Sequence, residues 1–175
     1  PEPVAPFFDA ILLGDGEEAV VEIAGLLKKA KEQTWSRTEI LDNIEKVSGI
    51  YRPERFQPEY DSKAELIAVS AQKGTAGTVQ RRVLADLSAT SHLHDPIVPH
   101  AKVVHDRLGV EIARGCTRGC RFCQAGMIYR PVRERTTQQI LEIADRGIAS
   151  SGFEELALLS LSTGDHSCIN DILPQ

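Results

Sequence analysis

Residues 111–130 read EIARGCTRGCRFCQAGMIYR and hold three of the chain's four cysteines. Cys116, Cys120 and Cys123 follow the spacing C-x-x-x-C-x-x-C, so three thiolates on one tight loop can converge on a single corner-shaped object. Gly115 and Gly119 are expected to relax the backbone around it, because glycine enters conformations that other residues avoid. The count of three is informative. A structural zinc ion is closed by four protein ligands. A 4Fe–4S cluster held by three thiolates leaves one iron open to another molecule. The alternative is a zinc site completed by Cys168, His166 or a loop histidine, in a non-enzymatic interaction module. Zinc loops favour paired C-x-x-C units, which weighs toward the cluster.

The flanks predict where this loop sits. VEIA, residues 110–113, is a short strand running directly into it. Thr136 and Gln139 stand at capping-box spacing and open a helix. Its Ile140, Ile143, Ala144, Gly147 and Ile148 are expected to face inward, with Gly152 closing it. LALLSLS, residues 156–162, then reads as a nearly continuous apolar strand, the pattern of a parallel sheet covered on both faces. Strand, long loop, helix and strand make one βαβ unit.

CTRGCRFC, with aromatic Phe122 just before the third cysteine, resembles the signature of the radical S-adenosylmethionine (SAM) enzymes. The resemblance implies that Cys116, Cys120 and Cys123 hold a 4Fe–4S cluster whose open iron chelates the amino and carboxylate groups of SAM. The backbone around Phe122 would lie against the adenine. One electron from the cluster would break the sulfonium bond, giving methionine and a 5′-deoxyadenosyl radical that abstracts hydrogen from an unknown substrate. An electron donor such as flavodoxin or ferredoxin is expected. In that family the cysteine loop follows the first strand of a partial (β/α) barrel, at the C-terminal end where barrel active sites sit. A Gly/Glu-rich segment after the second strand meets the SAM amino group. LSLSTGDHS, with Ser162, Thr163, Gly164 and Asp165, falls in that place, although it departs from the Gly-Gly-Glu form. Cys168 lies outside the pattern and reads as a free thiol.

The longer stretch RGCTRGCRFCQAGMIYRPVRER, with GDGEEAV upstream and LSLSTGD downstream, resembles a narrower group with an N-terminal cobalamin-binding-like domain. The fold class this implies is α/β: the end of a Rossmann-like domain followed by the first βαβ of a partial TIM-type barrel. Residues 1–50 would be the C-terminal part of the Rossmann-like domain, 51–105 a linker with a β hairpin, and 106–175 the N-terminal part of the radical SAM core. The cobalamin-ligand pattern D-x-H-x-x-G is absent from these residues, so cobalamin is an expectation only for a longer protein. The chain lacks an initiator Met and stops after one apolar strand. It therefore reads as an excised piece, with an open parallel edge and without complete catalytic activity.

Upstream, residues 7–13 read as a buried strand. GDGEE then opens a helix, with Asp15 and Glu18 at capping-box spacing and Val20, Ile23, Ala24 and Leu27 on the apolar face. An anion-binding turn is the other reading of GDGEE, and its acidic residues oppose that. Ser36 and Glu39 open a second helix that carries Ile40, Leu41, Ile44 and Val47 inward and ends at Gly49. Residues 66–71 and 79–84 are β-like runs around KGTAG and read as a hairpin. SATSHLHDPIVPH, residues 88–100, is a candidate linker, and its histidines read as polar loop residues. Arg114, Arg118, Arg121, Arg130, Arg133 and Arg135 form a basic cluster, which could offset a thiolate-bound cluster, receive an anionic substrate or simply be solvated. With a net charge of −5 the chain is not built to coat nucleic acid. PEPVAPFFDA lacks the basic and apolar regions of a signal peptide, and no apolar run here reaches membrane-spanning length. Clustered cysteines without secretory features point to the reducing cytoplasm.

Overall fold

The structure, a computed structural model, describes residues 1–101 and 103–173. These fall into two units, Pro1–Leu84 and Ala85–Gln175. Both mix helix with short strands, and the described residues contain four two-stranded sheets.

In the first unit, Glu2–Phe7 is a 3-10 helix with Pro3 near its start, so the strand expected over 7–13 shrinks to β1 (Ile11–Leu12). Then come α1 (Glu17–Gln33), α2 (Arg37–Ile44) and β2 (Ile50–Tyr51), with β1 and β2 antiparallel. The Ser36–Glu39 capping box forms as predicted. That of α1 does not: Gly16 is its N-cap, and Asp15 instead accepts from the Leu84 backbone N–H at 2.8 Å. The apolar face of α1 is also turned by one position. Ala19, Ile23 and Leu26 pack with Ile40, Ile44, Val47 and Ile50, whereas Val20, Ala24 and Leu27 are exposed. Arg82 lies beside this helix, its guanidinium pairing with Glu18 and Glu22 at 2.7 and 2.6 Å, but these glutamates are largely exposed and the apolar burial sets the rotation.

The hairpin pairs different strands from those expected: β3 (Phe56–Tyr60) with β4 (Leu66–Ala71), antiparallel. Asp61 makes the turn, its carboxylate accepting from the N–H groups of Lys63 and Glu65 at 2.8 and 2.9 Å. Residues 79–84 dock elsewhere. Arg82 N–H donates to Leu13 and its carbonyl accepts from Asp15, at 2.8 and 3.1 Å. Gly14 makes room for this contact, since a Cβ there would stand 1.9 Å from the Arg82 oxygen.

The second unit is built on β5 (Leu108–Glu111), which runs on into β6 (Ala113–Arg114). There follow α3 (Ala125–Ile128), β7 (Arg133–Glu134), α4 (Thr137–Ser151), β8 (Leu156–Leu159), a 3-10 turn (Thr163–Asp165) and α5 (Ile169–Ile172). β5 and β8 pair in parallel, which realises the expected βαβ unit. Thr136 and Gln139 form the capping box of α4, and Gly152 ends it in the left-handed conformation. Leu108, Val110, Ile112, Ile140, Ile143 and Ile172 make the core. Each such side chain contributes about 1.5–3 kcal/mol by leaving water. Gly147 lets α4 approach β5, because a Cβ there would lie 2.6 Å from a Leu108 methyl. Two expectations fail. Ile148 is exposed, and β8 is half-covered rather than buried on both faces, with Leu156 and Leu159 outward. No further strand lies beside β8 among the described residues.

Candidate functional site

The cysteine loop leaves from the C-terminal end of the β5–β6 run and is closed at its base. β6 pairs antiparallel with β7, Ala113 opposite Glu134 and Arg114 opposite Arg133, so residues 115–132 form one excursion. Gly115 starts it at φ +94°, where a Cβ would lie 2.7 Å from the carbonyl oxygens of both Pro131 and Tyr129. Buried Arg133 holds the same two carbonyls, its Nε donating to Pro131 at 3.1 Å and an Nη to Tyr129 at 3.4 Å. Gly119, by contrast, has nothing within 4 Å of a Cβ, so it is Gly115 that the loop's backbone requires.

All four cysteines are free thiols, with Cys120 exposed and Cys116 and Cys123 half-buried. The Arg118 N–H donates to Cys116 Sγ at 3.4 Å. The Cys123 N–H bonds the Cys120 carbonyl at 3.1 Å, and this turn leads into α3. Among the described residues no three His, Cys, Asp or Glu side chains are gathered closely enough to hold a single metal ion. The donor set still has the chemistry of a thiolate-held cluster: three uncrosslinked thiols on one loop, one of them already accepting a backbone N–H. Phe122 stands 92% exposed beside them.

The segment carrying Ser162, Thr163, Gly164 and Asp165 meets this loop. Ser160 and Thr163 hydroxyls pair at 2.9 Å, and Ser162 Oγ donates to Asp165 Oδ2 at 2.7 Å. Arg118 takes Asp165 with both arms of its fork, Nε donating to Oδ2 at 2.6 Å and an Nη to Oδ1. Arg118 foremost, and then the Ser162 hydroxyl, hold the Asp165 carboxyl down to about 2. The same carboxylate raises the affinity of Arg118 for its proton.

The six-arginine cluster separates into roles that spacing did not reveal. Arg114 pairs with Glu111 at 2.9 Å. Arg135 is buried and donates to the carbonyls of Glu111 and Thr90 at 3.1 and 3.2 Å. With Arg133, it is a strut of the loop's base; Arg121 and Arg130 are exposed. His166 is buried with both ring nitrogens engaged, Nε2 at the Arg135 carbonyl and Nδ1 accepting from the Cys168 N–H, each at 3.2 Å. It therefore has no lone pair left for zinc. His92 and His94 stand 6.4 Å apart, ring to ring. The Arg118–Asp165 pair joins residues 47 apart in sequence, so no local pattern announces it.

Residues 1–53 match the family described as radical SAM proteins, N-terminal, and residues 110–172 match the radical SAM superfamily. The chain belongs to the radical SAM superfamily. Over 63 residues it is 38% identical to an uncharacterized protein of Methanocaldococcus jannaschii, a stretch covering 36% of this chain and 14% of that protein. This chain therefore spans a small part of that relative's length. No solved structure matches the chain.

Proposed function

We propose that this chain carries the cluster-binding part of a radical SAM enzyme, with Cys116, Cys120 and Cys123 as the cluster ligands. The observation that carries the reading is a loop of three free thiols, clamped by the β6–β7 pair and tied to the 162–165 segment. Bound there, a 4Fe–4S cluster supplies the electron that cleaves SAM to methionine and a 5′-deoxyadenosyl radical. The chain's own residues position and shield. Backbone around Phe122 receives the adenine, and backbone groups of Ser162, Thr163 and Gly164 receive the SAM amino group. Residues 106–175 are, on this reading, the opening βαβ of the barrel, and 1–50 the end of a Rossmann-like domain. A low-potential donor such as flavodoxin or ferredoxin and the reducing cytoplasm complete the setting. No helix among the described residues is long and apolar enough to cross a membrane.

Anaerobic iron and sulfide reconstitution tests this. The expected result is a broad absorbance near ~400 nm, lost in the Cys→Ala variants at 116, 120 and 123. Tight stoichiometric zinc with no iron uptake would instead establish the zinc module.

A further inference from the structure

Arg118 touches three parts of the site at once. Its N–H donates to Cys116 Sγ at 3.4 Å. Its carbonyl oxygen lies 3.4 Å from where a side chain on buried Gly126 of α3 would begin, so its backbone is packed against that helix. Its guanidinium holds both oxygens of Asp165, whose Oδ2 also accepts from Ser162 at 2.7 Å. The Asp165 side chain is 19% exposed and that of Arg118 65% exposed, so the carboxylate is sheltered by the arginine that neutralises it.

We infer that Arg118 and Asp165 form a latch that sets the turn 162–165 against the cysteine loop, making both of them positioning residues for SAM. The inference rests on the functional reading above and deepens it. Asp165 acts through Arg118 and Ser162, its charge already matched by a guanidinium. Direct contact with the amino group of SAM falls to the backbone of Ser162, Thr163 and Gly164. The forked geometry matters, because it fixes the angle as well as the distance between loop and turn. Lysine, a point charge on a flexible stem, keeps the attraction but not the angle.

Two measurements on the whole 175-residue chain decide it. The first, amide hydrogen exchange on the cluster-free protein, needs neither iron nor SAM. R118A and D165A should each speed exchange in both segments, 116–123 and 162–166, and the double variant should add nothing. The swap R118D/D165R should restore part of the protection, and R118K less than wild type. Exchange that changes only in the mutated segment, or in neither, overturns the latch. The second is the Kd for SAM of the reconstituted protein. R118A and D165A should weaken it by the same factor, about tenfold, as loss of a hydrogen bond between charged groups does, with iron per chain unchanged. The two effects should not add. A much larger loss for D165A than for R118A, additive in the double variant, makes Asp165 a direct ligand and overturns the positioning role. Wild type that takes up no iron sinks the functional reading and with it the assignment to SAM, while exchange still decides whether loop and turn are latched.

Discussion

Gly115 and Asp165 show how much single positions carry here. At φ +94° Gly115 sits in a region that a side chain resists, with two carbonyl oxygens where a Cβ would go. Gly115→Ala is expected to cost roughly 1–3 kcal/mol from backbone strain, with the clash adding to it, and to reduce iron uptake. Gly119→Ala should change neither, since it meets open space. Thermal unfolding and iron per chain, measured on both variants, check the contrast. Asp165 makes a pH prediction. Its folded pKa is lowered, to about 2 from an ordinary 3.8, so the folded state binds fewer protons than the unfolded state between those values. The stabilisation is therefore complete above about pH 4 and is lost as pH falls toward 2. Acid unfolding of D165N should lack the part of the pH dependence that wild type shows in that window. Cys116, Cys120 and Cys123 could be picked out from spacing alone. The partner of Arg118 could not, because ion pairing across 47 residues depends on how the chain returns.

Among the elements, α4 and β5 could be read from the sequence because their signals are local. The Thr136–Gln139 box, the 3.6-residue apolar stripe and the left-handed Gly152 all lie inside or beside the helix they define. Thr136→Ala should lower stability by about 1 kcal/mol through the lost cap. Ile140→Ala, at a fully buried position, should cost about 2–5 kcal/mol, and Ile148→Ala at an exposed one far less. Chemical denaturation of the three variants gives the ranking, and an equal loss at Ile140 and Ile148 would contradict the observed packing. Misreadings arose where a distant residue won. Packing against Ile40, Ile44, Val47 and Ile50 set which face of α1 is buried, and residues 79–84 left their expected strand partner to bind Leu13 and Asp15. Asp61 supplied a closer turn for β4 than KGTAG did.

For the whole molecule, β8 presents Leu156 and Leu159, with Leu161 just beyond its end, at 41–50% exposure beside its single described neighbour, β5. An uncovered parallel strand with apolar side chains is a template for another chain. The 175-residue protein is expected to self-associate as its concentration rises, and sedimentation velocity across a dilution series measures this. A monodisperse monomer throughout would contradict it. The sequence by itself determined the βαβ order, the capping boxes of α2 and α4 and the family that CTRGCRFC marks, because each rests on residues close together in the chain. Tertiary structure alone decided which arginines are struts, which face of α1 is buried, what occupies the nitrogens of His166 and how the cysteine loop meets Asp165. Those outcomes follow from side chains finding apolar partners, charge partners and orphan carbonyls far along the chain, and no periodicity encodes such meetings.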